Sequence, residues 1–148
     1  MRALLDANLY ISYLLSRNRT KSAVGAVLAA VASGAFTLLF TAEIADEINR
    51  STRERPDLAT RIAPADVRRL LLAVAALAEM IPSIQEDLPR VGRDRGDDYL
   101  IAHAIAAGAD VPVSWDKDLL DLGQVAGVRI FTPPRFLEVL RETGRLTR

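Results

Sequence analysis

The sequence predicts an α/β protein built on a parallel sheet, and three observations carry that prediction. Short apolar runs alternate with longer segments of helical period, the order produced when strands are joined by helical crossovers. Two of the candidate strands end at or beside an aspartate, the place where ligands collect in sheets of this kind. The chain of 148 residues has the length of one domain able to bury a sizeable core, and it is read as a single domain over residues 1–148.

The first strand is the run RALL, ended by Asp6, after which Ala7 and Asn8 begin a turn into LYISYLL. A helical segment runs from about Thr20 to Ser33, with Gly34 placed where a helix C-cap would end it. FTLLF is the second strand; Thr41 after it resembles an N-cap and opens a helical segment from Ala42 to Arg53. The stretch from Ser51 to Ile62 is polar and arginine-rich and reads as a loop or helix end. Pro64 suits the first turn of a helix reaching about Ala78, and Leu70, Leu71, Val74, Leu77 and Ile81 recur as an apolar stripe. EMIPSI is the third strand, Asp97 to Ala107 a further helix closed by Gly108, and VPVS and VRIF the last two strands. Pro112 lacks a ladder donor, so VPVS is compatible with a sheet only if the strand begins near it.

Apolar residues make up 50% of the chain and charged ones 26%, which excludes a disordered protein. Nineteen basic residues balance 19 acidic ones, so no whole-molecule field draws a nucleic acid, and such a partner must be held by local patches. Arginines 50, 53, 55 and 61, with Arg93 and Arg95, are candidates for phosphate contacts or simply a solvated face. The absence of cysteine removes disulfides, thiolate nucleophiles and Cys-type zinc sites, and His103 has no second histidine for a zinc pair. RALL meets Asp6 before any run of signal length, and LLLAVAALA is too short to span a bilayer. The expectation is an unprocessed cytoplasmic protein with no membrane partner.

The chemistry lies in the carboxylates. Asp6 either caps the following helix or points into the crevice beyond the first strand. Glu43 and Glu47 share a helical face at i, i+4, where they can approach one point or serve as ordinary surface glutamates. Asp94, Asp97 and Asp98 precede an apolar helix and complement its dipole, a role that does not require two adjacent carboxylates. SWDKDLLDL supplies the hydroxyl of Ser114 and the carboxylates of Asp116 and Asp118, either of which could cap a short helix. Carboxylates crowded into one crevice repel, and a hard divalent cation relieves that repulsion. Mg²⁺ or Mn²⁺ needs only such oxygen ligands, and the reaction this chemistry serves best is phosphodiester hydrolysis.

LLDANLYISYLL at the start, TAEIADEI in the middle, the block DDYLIAHAIAAGADVPVSWDKDLLDL and the closing TPPRFLEVL together resemble the PIN-domain family. Within it the likeness is to the toxin components of bacterial type II toxin–antitoxin pairs, and it spans almost the whole chain. The resemblance implies a three-layer α/β/α sandwich with a central, mostly parallel five-stranded sheet. It implies that Asp6, Glu47, Asp98 and Asp116 bind Mg²⁺ or Mn²⁺, with Asp118 as a further ligand and Ser114 orienting the attacking water. Asn8 matches a polar family position, Asp97 is either a ligand or a neighbour of one, and Glu43 stays a further candidate beside Glu47. The implied activity is hydrolysis of single-stranded RNA by metal-activated water. The implied partners are the RNA, a second copy of the chain in a homodimer, and a small antitoxin protein whose tail enters the acidic groove.

Trp115 departs from the family pattern, which has a small or polar residue there; it either packs or stacks on a base. Two other functions fit the pattern. A haloacid dehalogenase-like phosphohydrolase would use Asp6 as nucleophile, but it expects an aspartate where Asn8 stands. A non-catalytic PIN-like module would bind RNA or protein without cleaving.

Overall fold

The computed structural model describes residues 1–82, 104, 108, 111–122, 124–125 and 128–147. In chain order these form β1 (Arg2–Leu5), α1 (Ala7–Leu15), a 3-10 turn (Arg19–Lys21), α2 (Ala23–Ala32), β2 (Thr37–Phe40), α3 (Ala42–Glu54), α4 (Pro56–Ala59) and α5 (Pro64–Leu77). They continue with β3 (Glu79–Met80), β4 (Val111–Val113), α6 (Lys117–Leu122), β5 (Gln124–Val125), β6 (Val128–Arg129) and α7 (Pro133–Glu142).

The sheet is parallel and flanked by helices, in the order β3-β2-β1-β4. Ala3 lies opposite Leu38 on one side and Val111 on the other, which fixes β1 at the centre. Ala3, Leu4 and Leu5 are wholly buried, and Leu38, Leu39 and Phe40 nearly so. Burial on both faces is why these strands read as continuous apolar runs rather than alternating ones. Helices pack α1 on α2 and α3, α3 on α5, and α2 on α7. Edge-on ring contacts join Tyr10 to Phe40 and Phe36 to Phe136.

Among the described residues the sheet has four strands where five were expected. Val128 and Arg129 pair antiparallel with β5 in a separate hairpin, and Thr132 already caps α7 by accepting from the Arg135 amide. Only Phe131 remains to face β4, and it forms a single parallel bridge to Val113. The same arrangement accommodates Pro112. Its carbonyl accepts from the Phe131 amide at 3.1 Å, so the side of the strand where its own N–H is missing is the outer one. The β1 side is unharmed, with the Asp6 amide donating to the Val113 carbonyl at 3.0 Å.

Helix boundaries follow local chemistry. Ser22 and Thr41 cap α2 and α3 by accepting from the Gly25 and Ile44 amides, and Pro64 sits in the first turn of α5. Gly34, at φ 82°, takes the left-handed conformation that ends α2. The segment expected to be a loop or helix end from Ser51 to Ile62 holds the last turn of α3 and all of α4, which Pro56 starts. On α5, Leu70 and Val74 are buried, but Leu77, expected on the packed stripe, is 46% exposed. The third strand is described at Glu79–Met80 only, and of the helix expected over Asp97 to Ala107 only Ala104 is described, helical and buried. Among the described residues no helix is long and apolar enough to cross a membrane.

Candidate active site at the carboxyl edge of the sheet

Parallel pairing sets the ends of β1 and β4 side by side, and each chain leaves the sheet there on a polar residue. Asp6 follows β1 with extended backbone (φ −60°, ψ 144°) and caps α1, its Oδ1 accepting from the Asn8 amide at 3.3 Å. Its second oxygen, Oδ2, accepts from the Ser114 hydroxyl at 3.0 Å. Ser114 is fully buried, and its Oγ in turn accepts from the Asp116 amide at 2.9 Å. One chain of hydrogen bonds therefore runs from Asp116 through Ser114 to Asp6.

The two readings of Asp6 turn out to be compatible. Capping occupies Oδ1 and Ser114 orients Oδ2, while a carboxylate offers about four lone-pair directions. The donors assembled here, carboxylate and hydroxyl, are all oxygen, the set a hard divalent ion takes.

α3 starts at the same edge of the sheet, from the buried cap Thr41 behind β2. Ile44, Ile48 and Thr52 face inward, which leaves Glu43 and Glu47 half-buried on the flank of that face. α1, which Asp6 caps, packs against this helix. Among the described residues, no group of three or more histidine, aspartate or glutamate side chains is gathered tightly enough to hold a metal. The structure thus joins the side chains of Asp6 and Ser114, ties Asp116 to them through its backbone amide, and sets Glu43 and Glu47 on an adjoining helix. Asn8 is exposed and contributes its backbone amide. Asp97 and Asp98 lie outside the described residues, as do Asp94, Arg93, Arg95 and His103. Asp118 is placed in α6 by its backbone.

The arginines expected to meet phosphate divide. Arg55 pairs with Asp57 at 3.2 Å, and the Arg53 Nε donates to the Asn49 carbonyl at 3.2 Å. Arg50 and Arg61 are exposed. A groove of about 340 Å³ lies away from the acidic edge, between α1, α2 and α5, lined by Leu14, Leu28, Leu70 and Leu77 among others. Its carboxylate, Asp66, is held by Arg19 at 3.1 Å and Arg69 at 2.9 Å. No sequence pattern announced this groove, because its walls come from helices brought together only by the fold. Trp115, for which packing was one of two expectations, is 46% exposed beside the site.

A family model described as a PIN domain matches residues 2–118, from the first strand into α6. Among curated proteins none matches the chain.

Proposed function

The chain belongs to the PIN-domain family, generally a family of nucleases, and from that premise we propose that it is a metal-dependent endoribonuclease, the toxin of a toxin–antitoxin pair. The observation that carries the proposal is the hydrogen-bonded chain from Asp116 through Ser114 to Asp6, which fixes a carboxylate and a hydroxyl at the carboxyl ends of two adjacent strands. Buried Ser114 has its proton committed to Asp6, so the Asp6 carboxylate is held in one orientation before any ligand arrives. Preorganised acceptors of this kind do not have to reorganise during the reaction.

Asp6, Glu47, Asp98 and Asp116 would hold Mg²⁺ or Mn²⁺, with Asp118 as a further ligand and Asn8, Glu43 and Asp97 around them. When bound, the ion supplies charge to polarise a phosphoryl oxygen and to make water a nucleophile near neutral pH. Through its hydrogen bond to Oδ2, the Ser114 hydroxyl sets the Asp6 carboxylate beside which the attacking water would sit. On the same reading the protein is a cytoplasmic homodimer, silenced by a small antitoxin whose arginine pairs with these carboxylates.

The test is cleavage of single-stranded RNA by purified protein with Mg²⁺, with Mn²⁺ or with chelator, alongside the Asp6→Asn variant. Cleavage is expected with either metal and abolished by chelator, and Asp6→Asn should lower the rate on the order of a hundredfold. Asparagine caps a helix as well as aspartate, but its amide nitrogen cannot accept the Ser114 proton, so the variant should fold with a somewhat lowered melting temperature. Undiminished cleavage in chelator, or in Asp6→Asn, would exclude the mechanism. RNA binding with no cleavage under any metal would make the domain a binding module.

A further inference from the structure

Trp115 is the chain's only tryptophan and is 46% exposed, while Ser114 directly before it is wholly buried against Asp6. Tryptophan is on average a highly buried residue, and an indole left half in water forgoes much of the stabilisation its area offers. The other large exposed apolar side chains among the described residues, Leu72, Leu77 and Met80, are aliphatic or thioether groups on α5 and β3. Trp115 alone of the four is flanked by Ser114 and Asp116 at the carboxyl edge of the sheet, where ligands of parallel sheets bind.

We propose that the Trp115 indole is a stacking platform for an unpaired base of the RNA next to the bond that is cut; the proposal rests on the nuclease reading above. An indole stacks on any base, so the platform is tolerant of sequence, but it needs a base whose face is uncovered. Bases in a duplex are covered on both faces by their neighbours. A platform here therefore selects single strands rather than a sequence. Lys117, exposed and in no ion pair among the described residues, follows two positions later and adds a cation for the backbone of the same strand.

Because no other indole is present, tryptophan fluorescence reports this position alone. The experiment titrates the Asp6→Asn protein, in chelator so that nothing is cut, with end-labelled single-stranded oligo(A), the same oligomer paired in a duplex, and oligo(dA). Single-stranded RNA should quench the emission in step with the rise in label anisotropy, and the duplex should not. In the same background Trp115→Ala should weaken single-strand binding about tenfold, with Trp115→Phe retaining most of it. In the metal-loaded enzyme, Trp115→Ala should raise KM and change kcat little.

Anisotropy that saturates with unchanged emission, or equal binding by Trp115→Ala, overturns the platform. Oligo(dA) should quench as well, since the indole reads the face of the base and not the sugar, and equal quenching by the duplex overturns the selection of single strands. Cleavage by the wild type with an unaltered KM in Trp115→Ala removes the platform and leaves the nuclease standing; quenching by RNA with no cleavage under any metal does the reverse.

Discussion

Tyr10 shows how one atom can set a pH dependence. Its side chain is fully buried, its ring meets Phe40 edge-on at 5.5 Å between centroids, and among the described residues its hydroxyl has no hydrogen-bond partner. Burying a hydroxyl unpaired is unfavourable, so Tyr10→Phe should stabilise the fold by about 1 kcal/mol in urea denaturation. Burial also raises the phenol pKa above its ordinary 10.0, since the phenolate would be stranded away from water. Above pH 10 the unfolded chain releases a proton that the folded chain keeps, so this group's contribution to stability declines as pH rises past that point. Tyr10→Phe should lose that part of the decline. A lowered urea midpoint for Tyr10→Phe at neutral pH would show that the hydroxyl is satisfied, and an unchanged alkaline slope would show that the phenol is not buried.

The junction between the 3-10 turn and α2 depends on the absence of a side chain. Ser22 Oγ donates to the Arg19 carbonyl at 2.7 Å and accepts from the Gly25 amide at 2.9 Å, which folds the turn tightly onto the helix start. A Cβ at Gly25 would overlap the Arg19 carbonyl oxygen. Elsewhere in a helix, Gly→Ala is favourable by close to 1 kcal/mol. Here the backbone of the turn would have to move, and Gly25→Ala should cost roughly 2 kcal/mol. A higher urea midpoint for this variant would show that the turn yields freely.

For the molecule as a whole, the acidic edge predicts linkage between metal and stability. An ion that binds the folded protein at a hundred times its Kd adds about 2.7 kcal/mol. In a chain of this length that corresponds to a rise in melting temperature of roughly 5 to 10 °C. Mg²⁺ or Mn²⁺ should produce it in differential scanning fluorimetry, potassium chloride of equal ionic strength should not, and Asp6→Asn should reduce it. A melting temperature indifferent to both metals would argue against a resident ion.

The elements were legible where their cause is local. Within RALL, FTLLF and VPVS, Ala3–Leu5, Leu38–Phe40 and Val111–Val113 are apolar without interruption because both faces are covered, and Thr41 and Pro64 mark helix starts through their own side-chain geometry. Asp6 could be singled out because it follows a strand, whereas its orientation could not. That depends on Ser114, 108 positions away, which only the register of β1 against β4 brings within 3.0 Å. The fifth strand fell short because VRIF has strand composition, but Val128 and Arg129 pair with β5 and only Phe131 bridges to β4, which composition does not reveal. Half-exposed Trp115 and the carbonyl pressed on Gly25 are likewise invisible to periodicity. Patterns of two and 3.6 residues encode which segments become strands and helices, since those depend on near neighbours. Which atoms meet is fixed by packing, and packing is decided only when distant segments share one interior.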